Sequence, residues 1–192
     1  MNVSRYMQRD AVTALQTATV STVRTVMDEH GFGLLLVAEE DGRLAGFVTR
    51  ASLKGIADGE TPVAKVVHEA RFAVRPEDTL EKAALILLEN RLVLLPVVNG
   101  EGTLVGVLTQ TEVLRGLAVG LGVGCEATRL TVNVRSESED LYDVLEILRG
   151  HGARLMSVVG GTEDETIIRF VGVEDREALR AAIETRLAGE HS

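Results

Sequence analysis

Cysteine is almost absent from this 192-residue chain, tryptophan is absent altogether, and aromatic residues make up only 3 % of it. The lone Cys125 has no partner for an internal disulfide, which excludes a stapled framework and suits a reducing compartment. With so few rings the core must be aliphatic, and a hydrophobic share of 45 % supplies enough Val, Leu, Ile and Ala to build one. No leader is expected either: Met1-Asn2-Val3-Ser4-Arg5 runs into polar sequence, not into an apolar signal core. No stretch approaches the ~18 uninterrupted apolar residues of a membrane helix. Positive charge is in deficit, the net being −9, which disfavours a nucleic-acid backbone or an anionic bilayer as partner. Together these absences predict a soluble, cytoplasmic protein.

Catalytic machinery is missing as well. His30, His68, His151 and His191 are scattered, and none stands at metal-ligand spacing from Cys125 or from another histidine. Neither a Gly-x-Ser-x-Gly elbow nor a Gly-x-x-x-x-Gly-Lys loop occurs. Gly120, Gly122 and Gly124 make half of a dinucleotide fingerprint, but that motif must follow a strand and open a helix. Here it ends a predicted helix, so the stretch 116–124 marks a domain boundary. The expectation is a protein with no catalytic residue, no metal and no resident cofactor.

What the chain does contain is a copy of itself. At an offset of sixty residues, 20–40 lies over 80–100 without a gap. Thr19 pairs with Thr79, Gly42 with Gly102, Gly46 with Gly106 and Thr49 with Thr109. Two copies are too few for a solenoid; they predict two units that bury apolar faces against each other and leave two related clefts at a pseudo-two-fold. Each copy has the pattern strand, helix, strand, strand, helix. The first places strands over 11–15, 34–38 and 44–48, a helix over 19–30 with Val20, Val23, Val26 and Met27 at helical spacing, and a short helix over 49–54. The second places strands over 72–74, 94–98 and 104–108, a helix over 80–88, and a closing helix opened by Thr109. Residues 57–65 connect the copies.

Beyond the glycines the pattern starts again: a strand over 129–135, a helix over 139–149, strands over 155–159 and 166–173, and a helix over 174–187. The domain bounds that follow are 1–58 and 59–120 for the repeats, 121–127 for a glycine-rich linker, and 128–192 for a small α+β unit.

Each repeat closes on one local pattern, Gly106-Val107-Leu108-Thr109-Gln110-Thr111-Glu112 in one copy and Gly46-Phe47-Val48-Thr49-Arg50-Ala51-Ser52 in the other. A strand delivers a hydroxyl to a helix N-terminus, whose open N–H groups and dipole suit an anionic or polar ligand. An acidic residue three positions on, Glu112, can accept both hydroxyls of a ribose. The same Thr-x-x-Glu is a capping box, in which Thr109 bonds the N–H of Glu112 and Glu112 reaches back. A cap can still face a cleft, so both readings stand.

The repeat, the strand Leu94-Leu95-Pro96-Val97-Val98 with Asn99, and the Gly-x-x-Thr endings resemble the CBS domain family over roughly residues 1–120. Two copies in tandem resemble a CBS pair, or Bateman module. The resemblance implies a mixed α+β / α/β fold, a regulatory role without catalysis, a homodimer, and an adenosine-containing ligand in the cleft between repeats. The family's Ser/Thr-x-x-Asp implies Thr109 on ribose or phosphate and Glu112 on the ribose hydroxyls, with Val107 and Thr111 beside them. The backbone near Val12, Thr13, Val93, Leu94 and Leu95 would wall the base. Ser52 carries no charge, so Thr49 and Ser52 form the weaker second site; Glu112→Ala is expected to abolish ligand stabilisation and Ser52→Ala to leave it.

Many members place His or Arg before the central strand to meet phosphate. The matching positions here are Val93-Leu94 and Gly33-Leu34, with Arg50, Lys54 and Arg115 on the closing helices as substitutes. A phosphate without a charged bidentate partner loses its strongest contact. AMP, adenosine or S-adenosylmethionine is therefore expected over ATP.

The tail resembles an ACT domain over residues 128–187, through Val132-Asn133-Val134 before a helix and Gly152-Ala153-Arg154-Leu155-Met156-Ser157-Val158 after it. This implies a ferredoxin-like, dimerising unit. Its loop 135–140 has neither the proline nor the glycine of that family's amino-acid site, which leaves a pure interaction domain beside a small-metabolite sensor. The whole order resembles the AcuB-type acetoin-utilisation proteins. The function expected is a sensor that passes ligand binding through domain or dimer packing to an unknown partner enzyme, the alternative being a ligand-free dimeric scaffold.

Overall fold

A computed structural model describes residues 1–133, 140–161 and 165–188. The chain divides into two compact units, Met1–Gly116 and Leu117–Ser192. Residues 135–139 of the tail's first loop and His191 lie outside the described residues.

The two repeats supply β1 (Thr13–Leu15), α1 (Val20–Glu29), β2 (Leu34–Ala38), β3 (Leu44–Thr49) and α2 (Arg50–Lys54), then α3 (Leu80–Glu89), β4 (Leu94–Val98), β5 (Leu104–Thr109) and α4 (Gln110–Gly120), all in the first unit but for the last four residues of α4. The sixty-residue register survives in detail. Thr19 and Thr79 are the N-caps of α1 and α3, each accepting from the N–H three residues on at 3.2 Å. Val20, Val23 and Met27 on α1, and Leu80, Ala83 and Leu87 on α3, are the buried stripe of each helix. Both hairpins are antiparallel, Leu34 opposite Thr49 and Leu94 opposite Thr109, and both slip at one place, after Val37 and after Val97. The hairpin turns bond to each other, Leu44 N–H to the Gly102 carbonyl at 3.1 Å and Leu104 N–H to the Gly42 carbonyl at 3.0 Å.

Both long helices turn out through a left-handed residue, Gly31 at φ +68° and Arg91 at φ +53°. Arg91 is the one non-glycine at positive φ among the described residues. An L side chain there costs roughly 1–2 kcal/mol, partly offset by the entropy that glycine loses. Arg91→Gly is expected to raise stability by about 0.5–1 kcal/mol in urea denaturation.

One expected strand is corrected. Residues 72–74 form no strand; Val74 makes a single parallel bridge to Val97, where β1 pairs with β2 over three residues. Prolines are the cause. Val74 N–H donates to the Pro96 carbonyl at 3.0 Å and Val98 N–H to the Val74 carbonyl at 2.9 Å. In the first repeat Gln16 N–H extends this ladder onto Ala38 at 2.9 Å, but its counterpart is Pro76, which has no N–H. Pro96 lacks its donor on the same edge of β4, so the ladder stops on both sides of Val74.

The second unit contains β6 (Thr128–Asn133), α5 (Asp140–Gly150), β7 (Arg154–Gly160), β8 (Glu165–Val171) and α6 (Arg176–Ala188). The sheet is antiparallel in the order β6-β8-β7. Its core joins the strands to the helices through Val132, Ile168 and Phe170 against Val144, Leu148, Leu179 and Ile183. The glycine-rich stretch begins as an anchored segment: the Leu121 carbonyl accepts from Ser157 Oγ at 2.8 Å and from Arg169 Nη1 at 3.0 Å. No helix among the described residues is long and apolar enough to cross a membrane.

Candidate functional site

A cavity of about 520 Å³ lies between the two repeats, on the side where β3 ends at Thr49. Strand alternation supplies its apolar floor. Leu34 and Leu36 from β2, Phe47 from β3, and Leu94 and Pro96 from β4 all line it. Leu95, between the last two, is fully buried, its side chain in the core. The remaining wall is the segment joining the repeats, His68 to Phe72, whose polar groups are His68, Glu69 and Arg71. Volume and lining, an apolar slot with a few convergent polar groups, are those of a small-molecule site.

That segment is held by backbone pairing. Phe47 N–H donates to the His68 carbonyl at 2.9 Å and His68 N–H to the Phe47 carbonyl at 2.8 Å. The imidazole leans on the Phe47 ring, centroids 5.7 Å apart. Gly46 makes this approach possible: a Cβ there would stand 2.2 Å from the His68 carbonyl oxygen.

Thr49 is both lining residue and cap. Its Oγ accepts from Ser52 N–H at 3.1 Å while Ser52 Oγ accepts from Thr49 N–H at 3.0 Å and donates to the Thr49 carbonyl at 2.9 Å. This capping box spends Ser52 locally and leaves the Thr49 hydroxyl proton for a ligand. Arg50 is spent too. Its guanidinium bonds the Phe32 and Met27 carbonyls, both at 2.7 Å, and the Asp28 carboxylate, closing the end of α1. Lys54 and Arg115 do not line the cavity, so Arg71 is the cation there.

In the other repeat Thr109, Val107 and Glu112 are brought together, but differently. Glu112 is only 7 % exposed. Its Oε2 accepts from Thr109 N–H at 3.2 Å and from the Thr109 hydroxyl, and its Oε1 accepts from Gln8 Nε2 at 3.0 Å. Burial pushes the Glu112 carboxyl up, but the bonds from Thr109 and Gln8 outweigh it and hold the group below the usual carboxylate range. A carboxyl so lowered stabilises the fold above its unfolded value, and this is lost as pH falls through the lowered one. Denaturation at successive pH values below about 4 is expected to show a shallower acid loss in Glu112→Gln than in the native chain.

Of the other expected site residues, Val93 and Leu94 line the Thr49 cavity. Thr111, Val12 and Thr13 are exposed, on α4, before β1 and in β1. Phe47, His68, Arg71, Pro96 and Gln8 were not anticipated. The sixty-residue offset held a signal for two of them, since Gln8 and His68 are counterparts.

Comparison with known proteins places these clefts in context. The CBS domain family matches residues 3–58 and 62–119. Inosine-5'-monophosphate dehydrogenase of Mycobacterium tuberculosis is 29 % identical over 92 % of this chain. The chain spans only 22 % to 36 % of the length of the dehydrogenases it matches, so it is similar to a part of them. A CBS domain pair/ACT domain protein from Thermotoga maritima superposes with a TM-score of 0.57 at 27 % identity, covering 61 % of this chain and 96 % of that one. The cytosolic domain of the Mg2+ channel MgtE in complex with ATP superposes with a TM-score of 0.54 at 28 % identity, covering 60 % of this chain and 48 % of that one.

Proposed function

The chain belongs to the CBS domain family, carrying two copies in tandem, and on that premise we propose that it is a regulatory module. It binds an adenosine-containing ligand of low charge in the cleft beside Thr49. The observation that carries this is the cavity itself, about 520 Å³ with an apolar floor and a single lining cation, Arg71. A purine fits the slot between Phe47, Leu94 and Pro96; the Thr49 hydroxyl and the His68–Arg71 rim meet the sugar and what it carries. With Arg50 committed to α1, a triphosphate would find one cation. That favours adenosine, AMP or S-adenosylmethionine, although the MgtE domain was solved with ATP. The site expected from the sequence, at Glu112, gives way to the one at Thr49 because its carboxylate is already bonded within the chain. The role is regulatory rather than catalytic, with the second unit, ACT-like in its element order, serving self-association. This is the AcuB-type arrangement of domains.

The experiment is a thermal-shift and calorimetric series with adenosine, AMP, S-adenosylmethionine and ATP. Ligand at ~100 times its dissociation constant stabilises by about 2.7 kcal/mol. Val93 is 60 % exposed and lines the cavity, so Val93→Glu should fold normally and lose that stabilisation. Thr111→Ala, away from the cavity, should keep it. A silent panel, or a shift that Val93→Glu leaves intact, sinks the proposal.

A further inference from the structure

The two repeat ends differ at a contact that the sixty-residue register isolates. Gln8 and His68 occupy equivalent places before their repeats. Gln8 N–H donates to the Val107 carbonyl at 2.8 Å and Val107 N–H to the Gln8 carbonyl at 2.9 Å, the same pair of bonds that ties His68 to Phe47. Their side chains then part. The His68 ring lies against Phe47 and lines an open cavity, whereas the Gln8 amide donates to Glu112 Oε1 at 3.0 Å. We propose that Gln8 is a latch on the second cleft, the residue that makes this module take one ligand where its duplicated architecture has places for two.

The chemistry of the contact supports this. A carboxylate only accepts, and a ribose recognises one by donating from its vicinal hydroxyls. Of the roughly four acceptor sites of the Glu112 carboxylate three are taken, two on Oε2 by the N–H and hydroxyl of Thr109 and one on Oε1 by Gln8. With Gln8 bonded, too few sites are left for both hydroxyls of a diol. The latch is seated firmly. Val3 is fully buried and its N–H donates to the Asp78 carbonyl at 2.8 Å, and Met7 is 8 % exposed. A Cβ on Gly106 would stand 2.7 Å from the Gln8 carbonyl oxygen, so the segment lies flush on β5. In the first repeat no such closure can form, because Ser52 is too short to leave its own cap.

This inference takes its ligand class from the proposed function, and one titration separates the two. Calorimetry with adenosine on the full chain is expected to give one equivalent for the native protein and two for Gln8→Ala. Gln8→Ala/Glu112→Ala should return to one. Gln8→His, which installs the residue found at the Thr49 cavity, serves as a second opening variant that keeps the backbone pair. An unchanged stoichiometry in both opening variants, or two equivalents in the native chain, overturns the latch. If the native chain takes up none and Gln8→Ala takes up one, the Thr49 site falls and the latch stands.

Discussion

Gly46→Ala is expected to lower stability by about 2–5 kcal/mol and to remove ligand uptake with it. Two penalties combine. Gly46 sits at φ +147°, a conformation that L side chains rarely adopt. The new Cβ would also stand 2.2 Å from the His68 carbonyl oxygen and 2.6 Å from Val67 Cγ1. The carbonyl is backbone already bonded to Phe47, so it cannot swing aside without breaking the pair that seats the cavity wall. The comparison is Gly33→Ala, where a Cβ meets nothing within 4 Å at ordinary φ; its effect should stay within about 0.5 kcal/mol. Urea denaturation checks both. Equal, small effects would mean that the segment between the repeats is not pinned by Gly46.

Phe170→Ala is expected to cost about 3–5 kcal/mol, and to cost it in the second unit alone. Phe170 is 1 % exposed and is the largest fully buried side chain among the described residues. The aliphatic cluster of the first repeat shares no residue with the cluster around Phe170. A small domain has only about 5–15 kcal/mol in hand, so the second unit should open first. Hydrogen exchange should show lost protection in β6, β8 and α5 with β2 and β4 unchanged, and the adenosine-dependent thermal shift should remain. Loss of protection in β2 would show that the two units melt as one.

The architecture of the first unit was legible because each signal occurs twice. Thr19 and Thr79 cap, Val20 and Leu80 begin buried stripes, and the hairpins share a register and a slip; a pattern seen at both positions is not chance. The spurious strand over 72–74 had its warning in the sequence, since Pro76 and Pro96 remove the two donors that would have extended it. Leu95 could likewise have been assigned to the core by alternation with Leu94 and Pro96. The partner of Glu112 was not legible. Its carboxylate accepts from a residue 104 positions away, Gln8, brought close by backbone pairing to Val107. Local spacing carries no trace of that contact. Nor did it show that Arg50 would be absorbed by carbonyls at the end of α1.

The cross-bonded hairpin turns have a bearing on dose. Leu44 and Leu104 each donate to the opposite repeat's turn glycine, so the two hairpins are joined to each other at their turns. Were both clefts open, the first molecule bound would alter the welcome given to the second, and occupancy within a chain could rise more steeply than concentration. If one cleft is shut, as proposed, each chain would answer ligand along a simple hyperbola, graded over about two decades of concentration, and the step-like behaviour of a switch would have to come from chains acting on one another.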